Sequence, residues 1–134
     1  MHYRVTIEDA VEAHELLIEK FGGRGGILTM DALQSALGRP YHGYYRQIFK
    51  KGAALVEGLV RNHGFVDGNK RTAAALLLLL LERSGYDIFP VHPNDDIPLE
   101  LENLVVRVAQ NDASFDDLAD WLKPRCRKIV PYGG

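Results

Sequence analysis

The segment 63–71 carries the side chains best suited to chemistry, and it reads His-Gly-Phe-Val-Asp-Gly-Asn-Lys-Arg. Imidazoles exchange protons near neutral pH, so His63 can accept a proton from an attacking hydroxyl group. Lys70 and Arg71 supply two positive charges, and the planar guanidinium of an arginine can bind two phosphate oxygens. Asp67 is the only acid of the segment, and Mg²⁺ commonly joins one carboxylate to nucleotide oxygens. The combination predicts transfer of a phosphate-containing group from a nucleotide to a hydroxyl group.

The same segment lies where a helix is predicted to begin. The first backbone N–H groups of a helix have no partner within the helix, and they carry a partial positive charge. Gly68 permits a close approach of the backbone, and Asn69 can cap the helix or donate its side-chain amide. These features predict an anion-binding nest suited to phosphates. The apolar Phe65 is expected to anchor the loop in the core.

Each of these residues also has a simpler interpretation. Asp67, Gly68 and Asn69 can form a turn followed by a helix cap, as many such tripeptides do. His63 can bond to the carbonyl groups that end a helix, and Lys70 can be a solvated charge. The concentration of a base, an acid, an amide and two cations in nine residues favours the chemical interpretation. A non-catalytic module that binds an anion or a partner helix stays open.

Helical patterns dominate the rest of the chain. The predicted helices cover about residues 6–21, 29–38, 49–62, 70–84, 96–110 and 114–123. Residues 73–81 are apolar throughout, which predicts a central helix with neighbours on most sides. Residues 86–91 are expected to be extended, and the basic tail 125–134 is expected to be loose. The sequence predicts an all-α, compact single-domain bundle of residues 1–134 around a central hydrophobic helix, with its core at about 5–123.

The composition limits the classes of partner. Sixteen Lys and Arg against eighteen Asp and Glu give a net charge of −2, which does not favour a protein that works by holding nucleic acid. The longest apolar run, 73–81, is about half of the roughly 18 to 20 residues that cross a bilayer. Cys126 is the only cysteine and cannot form an intrachain disulfide. The composition therefore predicts a cytoplasmic protein with no membrane partner and no direct nucleic-acid partner.

The segment 63–71 resembles the signature of the Fic/Doc superfamily, which is commonly His-Pro-Phe-x-Asp/Glu-Gly-Asn-Gly-Arg in Fic proteins. The Doc (death-on-curing) toxins carry Lys before the final arginine, and the sequence reads Asn-Lys-Arg at 69–71. The short chain, the helical layout and the triplet Arg-Asn-His at 61–63 also resemble Doc toxins. The resemblance covers about residues 5–123 and points to the Doc branch of the superfamily.

The resemblance implies a role for each residue of the segment. His63 would be the general base for the target hydroxyl, and Asp67 would hold Mg²⁺. The remaining positions would bind phosphate, as an anion hole and as a ligand of the terminal phosphates: Gly68, Asn69, Lys70 and Arg71. The implied activity is that of a toxin that transfers the γ-phosphate of ATP to a Ser/Thr hydroxyl of a translation factor such as elongation factor Tu, which blocks translation. The alternative is the Fic-type transfer of AMP to a protein hydroxyl.

The same resemblance bears on regulation. Many Fic proteins carry an inhibitory helix with the pattern Ser/Thr-x-x-x-Glu-Gly/Asn. The nearest match here, Glu57-Gly58, has Ala53 in the first position and lies in the helix before the segment 63–71. The resemblance to Doc toxins implies instead a Phd-like antitoxin, whose disordered tail folds into an apolar groove of the toxin. The alternative is that the tail of this chain covers such a groove.

One position departs from the family pattern. Gly64 stands where the family usually has proline. Glycine has more freedom in the unfolded chain, which predicts a loop less firmly ordered by about 1 kcal/mol. The exchange removes no chemical group, so the prediction concerns the order of the loop and not its chemistry.

A second candidate region is the aromatic segment 39–47, predicted to be an ordered loop or a short hairpin. Its tyrosines lie near glycine, as in a mobile flap that aligns a target peptide. Packing of these side chains on the bundle is the alternative, and at least one tyrosine is expected to pack. The candidate flap residues are Arg39, Tyr41, Tyr44 and Tyr45.

Overall fold

The computed structural model describes residues 2–129. This part of the chain contains six α helices and one two-stranded sheet, which confirms the predicted all-α fold class. The helices are α1 (Ile7–Phe21), α2 (Met30–Gly38), α3 (Ile48–Asn62), α4 (Asn69–Arg83), α5 (Ile97–Ala109) and α6 (Phe115–Leu122). The strands β1 (Tyr86–Ile88) and β2 (Cys126–Lys128) pair antiparallel. None of the described helices is long and apolar enough to cross a membrane.

Side-chain caps fix where three of the helices begin. Thr6 and Asp9 form a capping box at α1, in which each side chain accepts the backbone N–H of the other residue at 3.0 Å. Ser114 and Asp117 repeat the arrangement at α6. The Asp96 side chain accepts a hydrogen bond from the first turn of α5. The sequence predicted these three helix starts, and the structure confirms them.

Helix α3 lies at the centre of the bundle, because residues 52–60 are buried without interruption and α2, α4, α5 and α6 all pack against it. Glycines in α3 allow this close approach. A Cβ on Gly52 would lie 2.7 Å from Cδ1 of Leu77, and one on Gly58 would lie 3.3 Å from Cα of Ala36. Small side chains therefore make α3 the most enclosed helix, although α4 contains the longer apolar run.

The leucine-rich helix α4 leaves one face uncovered. Its buried leucines are Leu76, Leu77, Leu80 and Leu81. Leu78 is 46% exposed and Ala74 is half-buried, since the space between α1 and α5 leaves this face open. Residues 73–81 therefore have neighbours on most sides, as predicted, and this face is the exception. An apolar run alone could not reveal how far apart the flanking helices lie.

The segment after α6 packs on the bundle as far as residue 129, so the prediction of a loose tail is wrong for residues 125–129. Strand β2 satisfies the backbone of β1, which would otherwise be an unpaired edge. Arg125 forms ion pairs with Asp95 and Glu100, at 3.7 and 3.6 Å. Residues 130–134, the rest of the predicted tail, lie outside the described part of the chain.

The segment 39–47 forms a 3-10 helix at Arg39–Tyr41 followed by turns, so the hairpin alternative is wrong. Nη2 of Arg39 lies 2.6 Å from the buried Glu57 carboxylate of α3. The Tyr41 hydroxyl donates to the carbonyl of residue 3 and accepts the N–H of residue 5. Tyr41 is therefore packed, as expected for at least one tyrosine of this segment.

Candidate active site

Helices α3 and α4 are joined by a short loop whose two ends have left-handed backbone conformation. His63 ends α3 with φ 50°, and Gly68 precedes α4 with φ 76°. This conformation is unstrained for glycine and uncommon for a residue with a Cβ. His63 is therefore held by its surroundings in a conformation that costs energy, with its side chain exposed. Strain of this kind is concentrated at functional sites.

Asn69 closes the loop upon itself. Its Nδ2 donates to the carbonyl of Phe65, and its Oδ1 accepts the N–H of the same residue, both at 3.0 Å. Phe65 is 1% exposed and anchors the loop in the core. Because the Asn69 side chain is committed to the loop, only its backbone N–H faces a ligand at the start of α4.

The residues just before α2 pair with the loop from the other side. The N–H groups of Leu28 and Thr29 both donate to the carbonyl of Gly64, at 2.8 and 3.1 Å, and Val66 donates to the carbonyl of Gly26. Ile27 and Phe65 form an antiparallel bridge between these donors. The loop is thereby tied to a strand-like segment, residues 26–29.

Gly64 is held tightly, so the expectation of a loosened loop is wrong. The residue is buried, and a Cβ on it would lie 2.8 Å from Cβ and 2.9 Å from Cα of Leu33. Its carbonyl also accepts two backbone N–H groups. Helix α2 therefore approaches the loop so closely that only glycine fits at this position.

The Asp67 carboxylate is exposed, and each of its oxygens accepts one backbone N–H. Oδ1 accepts from Gly68 at 2.8 Å and Oδ2 accepts from Arg24 at 3.2 Å. These backbone hydrogen bonds, from Arg24 first and then from Gly68, lower the pKa of the Asp67 carboxyl below its usual value, with a smaller contribution from the positive charge of Lys70. Asp67 is therefore ionised at neutral pH.

The oxygens of the Asp67 carboxylate fit a Mg²⁺ ion that is held jointly by the protein and a nucleotide. A carboxylate offers about four lone-pair sites, and two backbone N–H groups leave about two of them for a cation. The described residues contain no cluster of three or more His, Cys, Asp or Glu side chains that could hold a metal without help. Mg²⁺ suits such a place because it commonly takes one or two carboxylates, phosphate oxygens and waters.

A cleft of about 630 Å³ opens between α1, α4 and α5, with the start of α4 at one end. Within the described residues, the N–H groups of Asn69, Lys70 and Arg71 have no hydrogen-bond partner. Lys70 and Arg71 are exposed and line this cleft, and the Arg71 guanidinium lies 4.6 Å from the ring centroid of Phe21. The cleft thus combines free amides and two cations with an apolar wall.

Comparison with known proteins assigns this arrangement to a family. A family model described as the Fic/DOC family matches residues 4–81, which is more than half of the chain. The chain belongs to the Fic/DOC family. It is 29% identical over 123 residues to "Protein kinase doc" of Escherichia phage P1, covering 89% of this chain and 92% of that protein. It is 35% identical over 104 residues to "Toxin Doc" of Mycolicibacterium smegmatis, covering 74% of this chain and 77% of that protein.

These relatives place the chain on the Doc branch of the Fic/DOC family, as the segment 63–71 suggested. Their names support a toxin of a toxin–antitoxin system and, as a class of enzyme, a protein-modifying transferase.

The Doc-branch motif is gathered at one place, but its residues do not all face the cleft. The five consecutive residues of the motif that line the cleft are Asp67, Gly68, Asn69, Lys70 and Arg71. His63 is exposed at the other end of the same loop and is not part of the cleft wall. Asn69 forms two hydrogen bonds with Phe65, and Gly64 alone separates Phe65 from His63 along the chain.

The side-chain contacts of the candidate flap residues, within residues 2–129, are made with groups outside the motif loop. Arg39 bonds to Tyr45 and Glu57, and the Tyr45 ring packs at 5.4 Å from Phe115. Tyr41 bonds to the N-terminal segment, and Tyr44 is 89% exposed. Residues 26–29 instead pair with the motif loop of this Fic/DOC protein through backbone hydrogen bonds.

Sequence reasoning missed two contributions to the site. The imidazole of His14, on α1, contacts both Phe65 and Asp67. The glycine-rich segment after α1 supplies the Arg24 N–H to the Asp67 carboxylate. The run of four glycines around Arg24 was the available signal, because backbone that approaches a ligand group closely favours glycine.

Substitution of Gly23 tests this close approach. A Cβ on Gly23 would lie 2.8 Å from Oδ2 of Asp67, so Gly23→Ala should displace the carboxylate and weaken Mn²⁺ binding by about tenfold. Gly22→Ala is the matched control, since Gly22 also has positive φ but a Cβ there meets nothing within 4 Å. Electron paramagnetic resonance of free Mn²⁺ in the presence of a nucleotide measures both affinities. Equal affinities for the two variants would contradict the prediction.

Proposed function

We propose that this Doc-type toxin transfers the γ-phosphate of ATP to a Ser/Thr hydroxyl of a translation factor such as elongation factor Tu and thereby blocks translation. The observation that carries the proposal is the start of α4, where three N–H groups with no partner in residues 2–129 line one cleft with Lys70, Arg71 and the Asp67 carboxylate. The name of the phage P1 relative, a protein kinase, supports the choice of phosphate as the transferred group.

The cleft suits a nucleotide by size and by charge. Small-molecule sites commonly measure about 300 to 1,000 Å³, and this cleft falls within that range. Contact with the Phe21 ring would keep the Arg71 guanidinium at the mouth of the cleft, where it can bind terminal phosphates. Lys70 would fill space beside the anion hole, and this favours transfer of the terminal phosphate over transfer of AMP. When bound, Mg²⁺ would neutralise phosphate charge next to Asp67.

In the proposed reaction, the target hydroxyl oxygen forms a bond to the γ-phosphorus. The bond between that phosphorus and the oxygen that bridges it to the β-phosphate breaks, and ADP leaves. The hydroxyl proton passes to the imidazole of His63, whose exposure at the end of α3 leaves it accessible to a protein substrate. The free N–H groups of α4 and the two cations stabilise the phosphate charge.

The experiment that tests the proposal follows label from ATP into elongation factor Tu. With ATP labelled in the γ-phosphate, the target protein is expected to become labelled. Label arriving from the α-phosphate would contradict phosphate transfer and indicate the Fic-type transfer of AMP. The absence of label from both forms, with a toxin that still inhibits translation, would indicate a non-catalytic module.

We further propose that a Phd-like antitoxin covers the apolar part of the cleft. Phe21 is 51% exposed and Leu78 is 46% exposed, and both line the cleft with apolar side chains of α5. An amphipathic helix formed from a disordered antitoxin tail would bury these side chains. The groove lies beside the phosphate-binding residues, so one peptide could cover both.

A charged side chain placed in this groove should weaken inhibition of the toxin by its antitoxin. Leu78→Arg is expected to weaken binding of a Phd-like antitoxin at least about tenfold, because a central apolar contact is replaced by a charge. Leu99→Arg is the control, since Leu99 is 51% exposed on α5 and does not line the cleft. Calorimetry with the antitoxin peptide measures both affinities. Equal weakening by the two substitutions would contradict this placement of the partner.

A further inference from the structure

His14 makes two contacts with the motif loop from the core side. This residue of α1 is 2% exposed, and its ring stacks on Phe65 with 3.9 Å between centroids and 5° between planes. Its Nε2 lies 2.6 Å from the carbonyl oxygen of Asp67. Since a carbonyl oxygen only accepts, Nε2 carries the hydrogen and donates it.

The hydrogen bond from His14 to the Asp67 carbonyl affects the Asp67 carboxylate through one rigid peptide group. The carbonyl of Asp67 and the N–H of Gly68 belong to the same planar peptide unit. His14 holds the carbonyl end, and the N–H end donates to Oδ1 of Asp67 at 2.8 Å. Rotation of this peptide would therefore break the bond to the carboxylate at the same time.

The surroundings of His14 do not require an imidazole for packing. An apolar ring could stack on Phe65 equally well, and burial of a polar group without a hydrogen bond costs free energy. Ile18, one turn further along α1, packs beside the same loop, since its Cδ1 would lie 3.3 Å from a Cβ placed on Gly68. The distinct contribution of His14 is its donor to Asp67.

We propose that His14 is a positioning residue that orients the Asp67 carboxylate, and through it the divalent cation of the bound nucleotide. This inference rests on the proposed function, in which Asp67 holds that cation. Partners that orient a metal ligand commonly alter metal affinity by about 10- to 100-fold when they are removed. A core residue that serves packing alone would have no such effect.

Two substitutions separate the donor from the ring. His14→Phe keeps an aromatic ring on Phe65 and removes the donor, whereas His14→Gln loses the ring and keeps an N–H donor. The measurement is the dissociation constant of a non-hydrolysable ATP analogue, with Mn²⁺ and with no divalent cation, together with the unfolding midpoint. In His14→Phe the gain in affinity from Mn²⁺ should fall about tenfold, and in His14→Gln it should stay close to the wild-type gain.

The Gly68 amide proton gives a second measurement that needs no ligand. Its exchange rate with solvent reports the bond to the Asp67 carboxylate, and exchange should be faster in His14→Phe than in the wild type or in His14→Gln. His14→Leu serves the same purpose if the phenylalanine variant does not fold. Equal Mn²⁺ gains in wild type and His14→Phe, or a loss only in His14→Gln, would overturn the positioning role alone. A wild-type protein that gains nothing from Mn²⁺ would overturn the proposed function as well.

Discussion

Replacement of His63 by asparagine is expected to slow phosphate transfer to the target by about 10²- to 10⁴-fold, which is the usual contribution of a general base. Asparagine cannot take up the hydroxyl proton. It adopts left-handed backbone more readily than most residues, so the φ of 50° at position 63 remains accessible. The rate of label transfer from γ-labelled ATP to elongation factor Tu measures the effect.

The control for this substitution is His92→Asn. His92 is exposed in the loop before α5. Its backbone N–H donates to the Asp95 side chain and its carbonyl accepts the Asp95 N–H, and asparagine keeps both groups. Both variants should keep the unfolding midpoint of the wild type, because both side chains are exposed. A His63→Asn variant that transfers phosphate at the wild-type rate would contradict the role of His63 as the base. A control that is equally slow would show that the assay responds to something other than that role.

Much of the fold could be predicted because its signals are local. The two residues of a cap, such as Thr6 and Asp9, lie within four residues of each other, and the helices begin at these caps. Burial of whole helices was harder to predict. The enclosure of α3 depends on the fit of Gly52 against Leu77 and of Gly58 against Ala36, which are contacts between helices that the sequence of one helix does not display.

The candidate site also combines residues that could be predicted from the sequence with residues that could not. Asp67 and the four residues after it are consecutive, so their chemistry and the helix start could be predicted together. The groups that orient them come from far along the chain. His14 contacts Asp67 across 53 positions, and Arg24 reaches the same residue across 43. Contacts of that separation depend on how α1 packs against α4, and no periodicity in the sequence reveals it.

For substitutions of Gly64, the general rule for loop glycines and the structure predict opposite changes in the free energy of unfolding. Replacement of a loop glycine by proline should stabilise a protein by about 1 kcal/mol if the backbone permits it, because the unfolded chain loses freedom. In this protein a Cβ at position 64 would meet Cα of Leu33 at 2.9 Å and its N at 3.1 Å. Backbone atoms of a packed helix cannot move aside as a flexible side chain can. We therefore expect Gly64→Ala to lower the free energy of unfolding by about 2 kcal/mol, as overpacking in a core does.

Gly64→Pro should be more damaging than Gly64→Ala. A proline disfavours helical backbone in the residue before it, and His63 is held here at φ 50° and ψ 54°. The proline would therefore displace the imidazole in addition to pushing α2 away. Gly43→Ala is the control, because Gly43 is exposed and a Cβ there meets nothing within 4 Å. Urea unfolding curves measure all three variants, and a proline variant more stable than wild type would show that α2 does not approach the loop as closely as described.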